Sequence, residues 1–314
     1  MSDTSFIYQK VTDAILAKLD AGVIPWRKTW ACSGAAGSPR NFISHKPYRG
    51  INIWLLAGAY ETPFWLSFNQ ARSIGAKVRK GEKGTTVVFW QIVKKTDKAT
   101  NEEKKLFLLR YYTVFNVEQC DDIDPARIEK LKRKVGIVRD ETAPKVDPIA
   151  AAQAIVDGFE NGPVINHGGD RACYSPALDR VQLPHLKDFI SPEAYHATCF
   201  HELIHATGHA TRLNRDGIVK DVNFGSERYS KEELVAEFGA TFLCAIAGID
   251  RADVIENAAA YIASWRKKLS EDPKLLIGAA SQAQKAADWI VEPSEIEGQD
   301  EEAQDAPEAA LAAS

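Results

Sequence analysis

The chain has 314 residues, 45% of them hydrophobic and 26% charged, with a formal net charge of -4. That length suits about two domains, each able to bury a sizeable core. No apolar run approaches the roughly 18 residues of a membrane-spanning helix, so no membrane partner is expected.

The first ten residues lack the apolar core of a secretion signal. The five cysteines (Cys32, Cys120, Cys173, Cys199 and Cys244) are odd in number, widely spaced and form no C-x-x-C pair. The expectation is a cytoplasmic protein with neither a disulfide framework nor a cysteine metal site. The charge is uneven. Residues 1–134 hold 23 Lys and Arg against 13 Asp and Glu, a balance of +10. Residues 135–314 hold 16 against 30, a balance of -14. A basic first half and an acidic second half suggest two units with different partners.

In chain order, residues 5–21 predict an amphipathic helix, with Ile7, Val11, Ile15 and Leu19 at i+4 spacing and Gly22 as its stop. A loop rich in Trp, Gly and Pro covers about 25–50, and apolar stretches follow at 51–60 and 64–74. Residues 85–93 and 106–117 are β-branched and aromatic and predict two strands of a hairpin, with a long polar loop between them. Residues 121–147 are charged and weakly patterned, and they read as a linker with room for one short helix.

The second unit, 148–291, opens with a helix near 149–159 and short strands near 164–166, 171–174 and 180–183. Ser191-Pro192-Glu193 marks a helix start, with Ser as N-cap and Pro at N1. That helix runs to Gly208, a natural C′ residue. A second start at Ser230 leads to about Gly248, and further helices are expected at 252–269 and 273–290. Residues 292–314 carry eight acids and no base, and read as a disordered tail.

His201-Glu202-Leu203-Ile204-His205 places two imidazoles one turn apart on one helix face, where both can reach one tetrahedral Zn2+ or another divalent metal. Glu202 lies beside the open coordination position, where it can act as the catalytic general base. The metal ligands read from the sequence are His201, His205 and Glu233. In Glu233-Leu234-Val235-Ala236-Glu237 two carboxylates share one face; Glu233 is the first choice as third ligand. Glu237 then orients a ligand histidine, or is itself the ligand if Ser230 and Glu233 form a capping box. His209 would lie about 12 Å from His201 on a continuous helix. A metzincin arrangement is excluded, because position 211 is Thr211 and the sole methionine is Met1.

Five of the seven tryptophans lie in the basic half, interleaved with cations. Trp26, Arg27, Lys28, Trp30, Tyr48, Arg49, Arg72, Lys77, Arg79, Lys80 and Lys83 are the candidate contacts to single-stranded DNA. Cations would track phosphates and rings would stack on unpaired bases. The same rings could equally form a core beneath a solvated basic face. No duplex-reading module is present.

The chain resembles the ArdC-type antirestriction proteins of conjugative plasmids, whose N-terminal part is shared with TraC-type primases. Over about 5–120 the marks are Pro25-Trp26-Arg27-Lys28, Tyr48-Arg49-Gly50-Ile51-Asn52, Trp65-Leu66-Ser67-Phe68-Asn69-Gln70-Ala71 and Val78-Arg79-Lys80-Gly81-Glu82-Lys83-Gly84. Over about 150–290 they are Tyr174-Ser175-Pro176, Asp179-Arg180-Val181, the segment from His201 to His209, and Glu233 to Glu237.

The resemblance implies an α+β chain: a mixed single-stranded-DNA-binding domain at 1–120 followed by a zincin-like metallopeptidase domain. It also implies protection of incoming plasmid DNA from host restriction during conjugation. Two readings follow. In one, a DNA-anchored metallopeptidase acts on a host restriction subunit or another protein. In the other, the chain binds single-stranded DNA and its zinc is only structural. Primer synthesis finds no acidic catalytic motif. Residues 174–183 are the candidate edge for an extended substrate, or an ordinary internal strand.

Overall fold

The computed structural model describes residues 4–26, 37–96, 103–137, 147–219, 227–249 and 258–291. Helix α1 (Thr4–Asp20) buries Ile7, Val11, Ile15 and Leu19, the stripe that its i+4 spacing predicts. A sheet with strand order β1-β2-β5-β4 follows, from β1 (Arg40–Asn41), β2 (Phe64–Ser67), β4 (Thr85–Thr96) and β5 (Glu103–Asn116). Strands β4 and β5 form the expected hairpin, but the ladder continues through lysines to Thr96↔Glu103.

Between these strands lie α2 (Ile51–Leu56) and α3 (Phe68–Ser73). The start of α3 is fixed by a capping box: the Ser67 side chain accepts from the Gln70 N–H, and the Gln70 side chain accepts from the Ser67 N–H. Asn52 on α2 bonds both backbone groups of Val88, at 2.7 Å to its carbonyl and 2.8 Å from its N–H. That amide covers the free edge of β4 where another strand could otherwise add.

The segment expected as a linker is folded over most of its described length. A small two-stranded sheet joins β3 (Lys77–Val78) to β6 (Cys120–Asp121), and α4 (Pro125–Lys134) follows. Leu131 of α4 is buried, and Ile128, Val135 and Ile137 pack beside Phe42, Phe64 and Leu66. Its apolar residues are too few to show in composition, but their helical spacing puts them on one face.

The second half begins with α5 (Pro148–Asp157) and a sheet of order β7-β9-β8. Here β7 (Val164–His167) runs parallel to β9 (Arg180–Leu183), and β8 (Cys173–Ser175) antiparallel to it. Of the stretch 174–183, β8 is thus an edge and β9 lies inside. Helices α6 (Pro192–Thr207), α7 (Asp216–Val219), α8 (Glu227–Ala247), α9 (Ala258–Glu271) and α10 (Lys274–Val291) follow among the described residues. Among the described residues no helix is long and apolar enough to cross a membrane.

The two units share one core. Residues of α1 and α2 belong to the same buried cluster as those of α6, α8 and α10. The Trp54 ring stacks on Phe242 at 5.1 Å and 9°, and Trp26 meets Phe238 at 5.1 Å. Thr241 donates to the Trp26 carbonyl at 2.7 Å, and the Gly50 N–H reaches Gln284 at 3.1 Å. Arg49 pairs with Asp288.

Candidate metal centre

Helix α6 opens as its sequence predicts: the Ser191 side chain accepts from the Ala194 N–H and Pro192 occupies the first turn. Its other end differs. Gly208 is the C-cap residue itself, with φ -77, a helical value. Glycine is needed there for space, because a Cβ would lie 2.6 Å from Ile218 and 3.0 Å from the Arg215 guanidinium. Helix α8 starts at Glu227, ahead of Ser230. Ser230 is therefore inside the helix, and Glu233 is not taken up by a capping box.

Helices α6 and α8 approach closely at Gly239, where a Cβ would stand 2.6 Å from the Ile204 side chain. This contact sets the face bearing His201 and His205 against the face bearing Glu233 and Glu237. The two Nε2 atoms are 3.1 Å apart, and the Glu233 oxygens lie 3.7 Å from His201 Nε2 and 3.6 Å from His205 Nε2. One donor atom from each of the three residues falls within 4.8 Å of the others. Two imidazoles and one carboxylate fit a divalent cation and leave coordination positions open.

The outer nitrogens of both imidazoles face carboxylates. Glu237 lies 3.7 Å from His201 Nδ1, and Glu232 lies 3.4 Å from His205 Nδ1. Each can fix the tautomer and orientation of its ring. Burial alone would lower the His201 pKa. The carboxylates of Glu233 and Glu237, with the charge of Glu202, outweigh it and raise the value to about 9. The pocket is thus a negative field that favours a cation. Burial likewise pushes Glu232 up, but His205 and Arg215 hold it below its usual value.

Glu232 and Arg215 are the site residues the sequence reading missed. Arg215 also donates to Thr207 Oγ1 at 2.6 Å and to the Ile204 carbonyl at 2.7 Å, tying the end of α6 to α8. Glu202 is buried next to His201 on α6. His209 is outside the cluster and bonds Thr211 at 2.8 Å.

The expected DNA contacts divide. Trp26 is 0% exposed and Tyr48 8%, both packed in cores, so neither offers a ring face to a base. Arg27, Lys28 and Trp30 lie outside the described residues. Arg49, Arg72, Lys77, Arg79, Lys80 and Lys83 are all exposed. Arg49 is engaged by Asp288, Lys77 by Asp122 and Arg79 by Glu82. Among the described residues Arg72, Lys80 and Lys83 have no ion-pair partner.

A basic α+β unit sharing its core with a zincin-like, divalent-metal domain is the class of protein that this fold and site define. Residues 5–115 match the N-terminal domain of the anti-restriction factor ArdC, and 150–282 match the zincin-like metallopeptidase family. The chain belongs to the ArdC antirestriction family. The metal-free and Mn(II)-bound crystal structures of antirestriction protein ArdC from plasmid R388 superpose with TM-scores of 0.66 and 0.67, at 35% identity. The matches cover 91% of this chain and 96% and 97% of those chains. An uncharacterized protein of Sinorhizobium fredii, y4eC, is 35% identical over 90% of this chain and 91% of its own length. DNA primase TraC of Escherichia coli is 36% identical over 90% of this chain, which spans only 27% of that primase.

Proposed function

We propose that this chain is an antirestriction factor that binds single-stranded DNA and carries a metallopeptidase-like centre of the HExxH plus Glu type. It would protect plasmid DNA that enters a restricting host as a single strand. Support for the centre rests on one observation: donors of His201, His205 and Glu233 converge beside the buried Glu202.

His201, His205 and Glu233 would hold the ion, with Glu237 and Glu232 orienting the two rings. A bound divalent ion, zinc by its donor set or Mn(II) as in the solved relative, would supply Lewis-acid activation of a water and of a peptide carbonyl. Glu202 would serve as the general base toward a water and as the acid toward the departing amine. The host-protein substrate, a restriction subunit or another protein, belongs to this proposal. Support for the DNA-binding part is the exposed Arg72, Lys80 and Lys83, together with the similarity to the antirestriction protein ArdC of plasmid R388.

A second reading assigns the metal a structural role, because the site joins α6 to α8, two helices that contribute to the shared core. Glu202→Gln separates the two. Metal content is measured by elemental analysis, and protection by the yield of conjugative transfer into a restricting recipient. Retained metal with lost protection supports the catalytic reading; retained metal with full protection supports the structural one. Binding of a labelled oligo(dT) with steep salt dependence tests the DNA-binding part.

A further inference from the structure

We propose that single-stranded DNA is held on the outer half of the β4–β5 hairpin and the start of α1, its bases stacking on Phe6, Trp90 and Tyr111. This rests on the single-stranded-DNA reading above and names the surface that performs it.

The tryptophan that led the sequence reading is committed elsewhere: Trp26 is packed against Phe238. Solvent-facing rings occur at other positions. Phe6 is 56% exposed, Tyr111 38% and Trp90 36%. Phe6 and Tyr111 meet edge to face at 6.3 Å. Lys10 places its ammonium 5.1 Å from the Tyr111 ring and 5.9 Å from the Phe6 ring. Trp90 pairs with Leu109 and Val88 with Tyr111, so Trp90 and Tyr111 are diagonal neighbours on one face. Such neighbours stand roughly 7–8 Å apart, close enough to present adjacent rings to adjacent bases.

The exposure has a structural cause. On that face Val88 and Leu109 are buried in the shared core. Beyond them β4 continues six residues past Trp90, about 20 Å. Strand β2 joins β5 only at 114–116, so among the described residues no third strand pairs with this outer part. Asn52 already occupies the β4 edge at Val88, which leaves the ring face rather than the backbone as the contact.

Charge selects the partner. The register sets Lys94 opposite Lys105 on the face that bears Trp90 and Tyr111, and Lys95 opposite Lys104 on the other face. On the ring face Lys94 and Lys105, with Lys10 beside the Tyr111 ring, stand against one acid, Glu103. Aromatic faces for bases and lysines for phosphates suit a strand whose bases are unpaired, since a duplex keeps its base faces stacked internally.

The test uses the full chain and a fluorescent oligo(dT). The variants are Trp90→Ala with Tyr111→Ala, Trp90→Phe, and Lys94 with Lys105, both →Gln. The double alanine variant should lose affinity about tenfold or more with an unchanged melting temperature. Trp90→Phe should keep most affinity while losing part of the DNA-induced quench of tryptophan emission. The lysine variant should flatten the salt dependence by about 0.7 per charge removed. If wild type binds and the double variant binds equally well, this surface is overturned while the DNA-binding reading stands. A fall in oligomeric size of the double variant with unchanged DNA affinity would make the patch a protein interface, and would also overturn it. Failure of wild type to bind oligo(dT) overturns the DNA-binding reading itself, and this surface with it.

Discussion

Arg215 donates two hydrogen bonds to Glu232, at 3.1 and 2.6 Å, and both side chains are only 6% exposed. Because Glu232 in turn faces His205 Nδ1, Arg215 fixes the carboxylate that orients the imidazole. Arg215→Ala strands a buried carboxylate without its cation. We expect a loss of about 3–5 kcal/mol in urea unfolding of the metal-free protein. Divalent-ion affinity, read by competition with a chromophoric chelator, should fall about 10–100-fold. A folded variant with wild-type affinity would remove Glu232 from the metal site.

Gly239→Ala tests the approach of the two helices. Its methyl group would meet the Ile204 side chain at 2.6 Å, and α8 must move outward. Overpacking of this kind costs about 1–3 kcal/mol. The same movement withdraws Glu233 and Glu237 from the two histidines, so metal affinity should fall along with stability. Pairing the substitution with Ile204→Val should restore part of both. If the single variant kept full affinity, the helix contact would not be what positions the carboxylates.

The histidine pair and the Glu233–Glu237 pair were legible because i, i+4 spacing alone puts each on one helix face. Glu232 was hidden because an acid next to other acids near a helix start reads as solvated. Arg215 was hidden because a cation in a polar loop shows nothing of its burial. Trp26 and Trp90 look alike in sequence, each beside polar or basic neighbours. Only packing against Phe238, more than two hundred residues away, draws Trp26 inward. Gly208 marks the helix end in the sequence, but the close packing of Ile218 and Arg215 against it is visible only in the structure.

Trp54 tests the shared core. Its ring lies 4.3 Å from Phe238 and 5.1 Å from Phe242, so it belongs to the packing of α8 although it sits in the N-terminal half. Trp54→Ala should cost about 3–5 kcal/mol. Far-ultraviolet dichroism and the fluorescence of the remaining tryptophans should then shift together in urea. A fragment of residues 1–134 would expose Ile7, Val11, Ile15 and Trp54, and should not hold a fixed tertiary structure in its amide spectrum. Two well-separated transitions, with only the first moved by Trp54→Ala, would refute a common core.

Asp179 gives the acid dependence. It accepts from Arg212 at 3.0 Å and from the Tyr174 hydroxyl at 2.8 Å, while Arg212 also donates to the Ala206 carbonyl at 2.8 Å near the end of α6. Burial pushes the Asp179 pKa up, but the hydrogen bonds from Arg212 and Tyr174 and the Arg212 charge hold it below its usual value. A carboxylate with a lowered folded pKa contributes stability that is fully present above its unfolded value, near 4, and is lost as pH falls through the folded value. Asp179→Asn should therefore be less stable than wild type at pH 7, and the gap should close in more acidic buffer. Urea midpoints at about pH 7, 5, 4 and 3 read this directly. A gap that stayed constant down to the lowest pH would mean that the clamp works through shape and neutral hydrogen bonds, not through the charge of Asp179.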